Sequence, residues 1–110
     1  MKLTFTATLL ALLIPLTVGL VGCETTADIE LRRAEKALND ALEVGADASA
    51  SDDYIKAEEM LIKAQELARD NKILEARQVA VEAKVIADDA KRKAEERQLI
   101  LEQEAERLGK

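Results

Sequence analysis

The chain has 110 residues, 35% of them charged, with 22 acidic against 16 basic side chains and a net charge of −6. It contains no histidine, one cysteine, one proline and 2% aromatic residues. Such a chain holds one small domain at most, and its acidic balance excludes nucleic acid and anionic lipid headgroups as partners, because both are recognised by clustered Lys and Arg.

The N-terminus reads first. Lys2 is followed by an uncharged run from Leu3 to Leu20, with Pro15 inside it and Gly19 and Gly22 near its end. A charged start, an apolar stretch and small residues before a cut make up a secretory signal peptide, expected over residues 1–22. An uncleaved spanning helix is the competing reading, since about 18–20 apolar residues cross a bilayer. Pro15 and the glycines weaken that span. The quartet Leu20-Val21-Gly22-Cys23 resembles the lipobox of bacterial lipoproteins. The resemblance implies cleavage between Gly22 and Cys23, a diacylglyceryl group on the Cys23 thiol, and acylation of the new Cys23 amino group. An unpaired cysteine in an exported chain needs a reason, and lipidation is one. Two or three acyl chains give a firm anchor without a crossing, each buried methylene adding about 0.8 kcal/mol. Asp directly after the lipidated cysteine retains such proteins in the inner membrane; Glu24 stands there instead. By that resemblance the mature protein belongs on the periplasmic face of the outer membrane, with the inner membrane as the other destination. Lys2 is the only charge in 1–22, so removal of that segment moves the net charge from −6 to −7.

The mature chain, residues 23–110, is built from strong helix formers and has no proline. Ala27, Leu31, Ala34, Leu38, Ala41 and Gly45 recur at alternating spacings of four and three, which line one face of a first helix. Tyr54, Ala57, Leu61, Ala64 and Ala68 repeat the pattern, and so do Ala76, Ala80, Ala83, Ala87, Ala90 and Ala94. Thr25 with Asp28 reads as a capping box. Val44 to Asp53 reads as the one loop, with Gly45 ending a helix and Ser51 or Asp52 capping the next. In the run Arg69 to Lys72, Asn71 is suited to the left-handed conformation of a tight break. Glu59–Lys63, Asp88–Arg92 and Asp89–Lys93 are acid-first pairs one turn apart. The expected fold is all-α: a helical hairpin and an N-terminal helix in an antiparallel three-helix arrangement, with a long projecting C-terminal helix. Beyond Arg92 that helix carries Leu101 and Leu108 at one heptad position, while the other turns charged at Arg97 and Glu104.

The stretch from Gly45 to Glu96 resembles an alanine-rich helical domain of unknown function found in bacterial envelope lipoproteins. There a Gly-Ala loop leads to a tyrosine, then Ala and Leu at helical spacing, a short turn, and a second alanine-lined helix. Tyr54, Ala57, Leu61, Ala64, Ala76, Ala80, Ala83, Ala87 and Ala90 match, whereas Asn71 replaces the usual turn glycine. Some relatives carry this domain ahead of an OmpA-like peptidoglycan-binding domain, and none follows here. The resemblance implies an envelope location and does not assign an activity. A weaker resemblance is to alanine-zipper murein lipoproteins, whose C-terminal lysine is joined to peptidoglycan. It implies such a bond at Lys110, although Lys110 follows Leu-Gly where theirs follows Tyr-Arg.

Catalytic chemistry is short of parts. No histidine exists for acid–base work, the single cysteine is assigned to lipid, and Ser49 and Ser51 have no base beside them. The pairs Asp52-Asp53, Asp88-Asp89 and Glu95-Glu96 are adjacent on helices, where neighbours diverge by about 100° and do not converge on a metal. No catalytic, cofactor or metal site is expected, and no cofactor beyond the lipid on Cys23. The reading is a non-catalytic, lipid-anchored helical scaffold with an envelope protein as partner. A self-associating, alanine-zipper-like tether between outer membrane and peptidoglycan is the alternative.

Overall fold

The computed structural model describes residues 24–109. Gly22, Cys23 and Lys110, the residues of the expected cleavage, lipid and peptidoglycan attachments, lie outside that range. The described chain is all-α: α1 (Thr26–Glu43), a single turn α2 (Ala46–Ser49), α3 (Ser51–Arg69) and α4 (Ile73–Leu108). None of these helices is long and apolar enough to cross a membrane.

The helix ends follow from local chemistry. Thr25 Oγ1 accepts from the Asp28 amide at 3.2 Å, while the Thr25 amide donates to Asp28 Oδ2 at 2.9 Å, closing the capping box. The Thr25 amide and, after it, the Thr25 hydroxyl, both donating to Asp28 Oδ2, hold the Asp28 carboxyl below the ordinary aspartate range. At the end of α1, Gly45 adopts φ 77°, a conformation glycine reaches without a Cβ clash. At the end of α3, Asn71 has φ 61°, its amide donates to Ala68 O, and the Lys72 amide donates to Leu67 O. This is a Schellman ending with asparagine in the glycine position.

The segment between α1 and α3 departs from the expected loop. Four of its residues form α2, and α3 begins at Ser51 after Ala50, with no side-chain cap. Neither Ser51 nor Asp52 serves as the N-cap. Folding the segment into a turn lets Ala46 bury itself beside Ala41, Ala90 and Ala94, which outweighs a cap bond on an exposed end. Ser49 caps backward instead, donating from Oγ to Gly45 O at 3.0 Å.

Alanine makes the core. Ala34, Ala37 and Leu38 of α1 meet Ala57 and Leu61 of α3 and Ala83 and Ala87 of α4. Further along, Ala41 and Ala46 meet Ala90 and Ala94, with Tyr54 packed against both clusters. Residue numbers rise together on α1 and α4 and fall along α3, so α1 and α4 run parallel with α3 antiparallel to both. No large side chain among the described residues is fully buried; Leu38 and Leu61 come nearest. Methyl-sized knobs let helix axes approach closely, yet each burial removes little apolar surface from water.

The expected ion pairs are redistributed. Glu59 and Lys63 make no ion pair among the described residues. Lys84 takes Asp88 at 2.8 Å, Arg92 bridges Asp89 and Glu96, and Lys93 crosses from α4 to Asp53 of α3. Acid-first order within a helix is worth only a few tenths of a kcal/mol, so any nearby carboxylate displaces it.

Candidate interaction surface

Helix α4 has two halves. From Ala76 to Ala94 its alanine stripe is fully buried under α1 and α3. From Glu95 to Gly109 every residue is exposed. At about 1.5 Å per residue the free part of the helix, to Leu108, is about 21 Å long. The change comes where α1 ends: Gln98 Nε2 donates to Val44 O at 3.0 Å, the most distal hydrogen bond between α4 and the rest of the bundle among the described residues.

The free part stays apolar at one of the two seam positions that the bundle buries below, while Arg97 and Glu104 take the other. Leu101 and Leu108 stand one and two heptads beyond Ala94, and Ala105 lies between them on the same stripe. Leu101 is 55% exposed and Leu108 88%. Leu99 and Ile100 are also more than half exposed, and with Leu101 they step about 100° apart, so apolar surface covers a little over half the circumference of the helix at that level, with Gln98 and Glu102 on the rest. Around them Glu102, Glu104 and Glu106 make no ion pair among the described residues, and neither do Arg97 and Arg107.

The top of the bundle forms a ledge at the foot of this free helix. It consists of Val44, Gly45 and α2, with Asp47 and Ala48 exposed on it and Asp52 in the first turn of α3. Lys93, two residues below the free part, is bonded to Asp53, which pushes its pKa above the ordinary lysine value. Tyr54 beneath the ledge is half-buried; burial raises its phenol pKa, with Glu58 and Asp47 adding to the effect.

A second apolar surface lies lower, where α3 and α4 face solvent. Lys56, Met60, Val81, Glu82, Val85 and Ile86 line an open groove of about 300 Å³. Leu74 extends it toward the α3–α4 turn and is 76% exposed. No three acidic side chains cluster as metal ligands among the described residues.

Glu24, the residue after Cys23, is paired with Arg32 of α1 at 2.5 Å. The bundle therefore begins within two residues of the cysteine, with Thr25 capping α1, and the free half of α4 stands at the opposite end. Leu101 and Leu108 were identifiable from heptad spacing. The ledge was not, because it depends on where α1 ends against α4. No protein-family model matches this chain, and comparison with curated proteins and with solved structures gives no match.

Proposed function

We propose that this chain is a non-catalytic, lipid-anchored protein of the bacterial envelope that acts as a helical scaffold, displaying an interaction surface in the periplasm. The single observation that carries the anchor is Leu20-Val21-Gly22-Cys23 at the end of an apolar N-terminal run. The fold adds support, because α1 is capped two residues after Cys23 and leaves no long linker between lipid and bundle. With α1 leading away from the anchor, α3 returns and α4 leads away again. The free apolar half of α4 is then held clear of the membrane by the length of the bundle, about 27 Å for the 18 residues of α1.

In this reading the alanine bundle is a spacer and the far end of α4 does the recognising. Metabolic labelling with palmitate tests it. The chain incorporates label, and Cys23→Ser abolishes both labelling and cleavage, since a serine hydroxyl lacks the thiolate nucleophile. Label retained by the Cys23→Ser protein overturns the anchor.

A further inference from the structure

The ledge and the free half of α4 meet as a notch, and the notch limits what can fill it. Its upright wall carries the apolar stripe Leu101, Ala105 and Leu108, the i, i+4, i+7 spacing by which a helix engages another apolar surface. Below Ala94 the same side of α4 is already covered by α1 and α3. An occupant therefore enters from the distal side and ends against Val44 and α2. It can follow α4 for about 21 Å, the length of about 14 helical residues.

Charge decides between occupants. On the wall, Glu102 and Glu104 flank the stripe and are not neutralised by any described ion pair; on the ledge and beside it, neither are Glu43, Asp47 and Asp52. Among the described residues only Arg97 and Arg107 of the wall oppose them. A second copy aligned in parallel would bring its own α1 and α3 into the space filled by those of the first. A second copy entering antiparallel would set one acidic rim against another. Like charges juxtaposed across an interface cost affinity, whereas opposite potentials speed and favour encounter.

We propose that the notch receives a short amphipathic helix of another protein, its apolar stripe flanked by lysine and arginine. Leu101 and Leu108 seat the stripe, and the carboxylates of wall and ledge pair with the basic flanks. This deepens the scaffold reading by naming the chemistry of its partner.

Hydrogen exchange on the full-length chain in neutral detergent tests the proposal, with two synthetic 14-residue amphipathic helices as probes, one of Leu and Lys and one of Leu and Glu. The Leu/Lys helix should slow exchange across residues 97–108 at least tenfold. The Leu/Glu helix should leave it unchanged, and Leu101→Asp should remove the protection while the α3 amides keep theirs. Equal protection by both peptides, none by either, or protection that survives Leu101→Asp overturns the proposal. So does a tail already protected without peptide in a chain that sediments as a dimer, because a second copy then fills the notch. Since the measurement does not depend on lipid at Cys23, its failure leaves the palmitate result standing, and the reverse holds too.

Discussion

The two halves of α4 share one helix and one periodicity, yet one is buried and the other bare. Up to Ala94 the stripe is alanine at every position, flat enough for α1 and α3 to lie close on it. Beyond Ala94 the stripe carries Leu101 and Leu108, and Arg97 and Glu104 take the alternating positions. Small side chains suit a neighbour at short distance; the large ones beyond Ala94 have no neighbouring helix among the described residues. The lesson is that seam composition, beyond periodicity, separates the packed part of this helix from its free part.

The sharpest way to break this comparison is to put a charge in each half. Leu61→Asp places a carboxylate against Ala83 and Ala87 and should destabilise the bundle by on the order of 3 kcal/mol or more, enough to unfold a domain this thinly packed. Leu101→Asp should stay within about 0.5 kcal/mol of the parent chain, as surface substitutions do. Urea denaturation followed by circular dichroism at helical wavelengths reads both. Equal losses would mean that the free half is packed.

Size should discriminate next. Ala83→Leu forces three more heavy atoms into a closed seam and should lose about 1–3 kcal/mol, while Ala105→Leu should lose nothing, since it meets only solvent. The same denaturation series checks it, and tolerance of Ala83→Leu would show a looser seam than the structure has.

The turn that lets α3 and α4 share the seam gives a smaller effect. Asn71 stands in the left-handed region, where a Cβ without a compensating side-chain bond is disfavoured by about 1 kcal/mol. Asn71→Ala should lose about that much, and Asn71→Gly should match or exceed the parent. A gain in stability from alanine would contradict the turn geometry.

The smallest effect sharpens the boundary between the halves. Tyr54 is the only tyrosine in the sequence, so absorbance of the phenolate reports on it alone. Burial raises its pKa, so the midpoint should fall above the ordinary value of about 10. With the folded pKa raised, the contribution of the neutral phenol to stability is complete below the unfolded pKa and is lost as pH rises through the folded value. Leu61→Asp, by unfolding the bundle, should return the midpoint to the ordinary value; a midpoint at or below that value in the parent chain would place Tyr54 outside the seam.

Much of this architecture is legible in the residues themselves. Alternating spacings of four and three locate Ala34, Leu38, Ala57, Leu61 and the whole stripe from Ala76 to Ala94, because on a helix only those spacings stay on one side. Thr25, Gly45 and Asn71 mark helix ends because each has a local physical reason to be there. Ala37 escapes the pattern, being one residue off the strict alternation, and is buried because α1 contacts two helices at once. Ala46 escapes because a four-residue helix carries no period. Salt-bridge partners are illegible for another reason: Lys93 chooses Asp53, distant in sequence, over Asp89 nearby, a preference set by how the helices abut. The notch belongs to the same class, since it exists only once α1 stops short of α4.

That α4 is a single unbroken helix across both halves has a thermodynamic consequence. An isolated helix of about 14 residues is marginal in water, because nucleating its first turn is unfavourable. Here the buried half supplies the nucleus, and the free half needs only propagation, helped by residues such as Leu, Glu, Gln, Ala and Arg. A docking helix would thus meet a surface already ordered and forgo most of the entropic penalty that a disordered tail would impose. The linkage runs both ways: a ligand at a hundred times its dissociation constant would raise the stability of the structure it grips by about 2.7 kcal/mol. A bundle glued mainly by methyl groups, and so near the lower limit of stability, would be firmest when occupied.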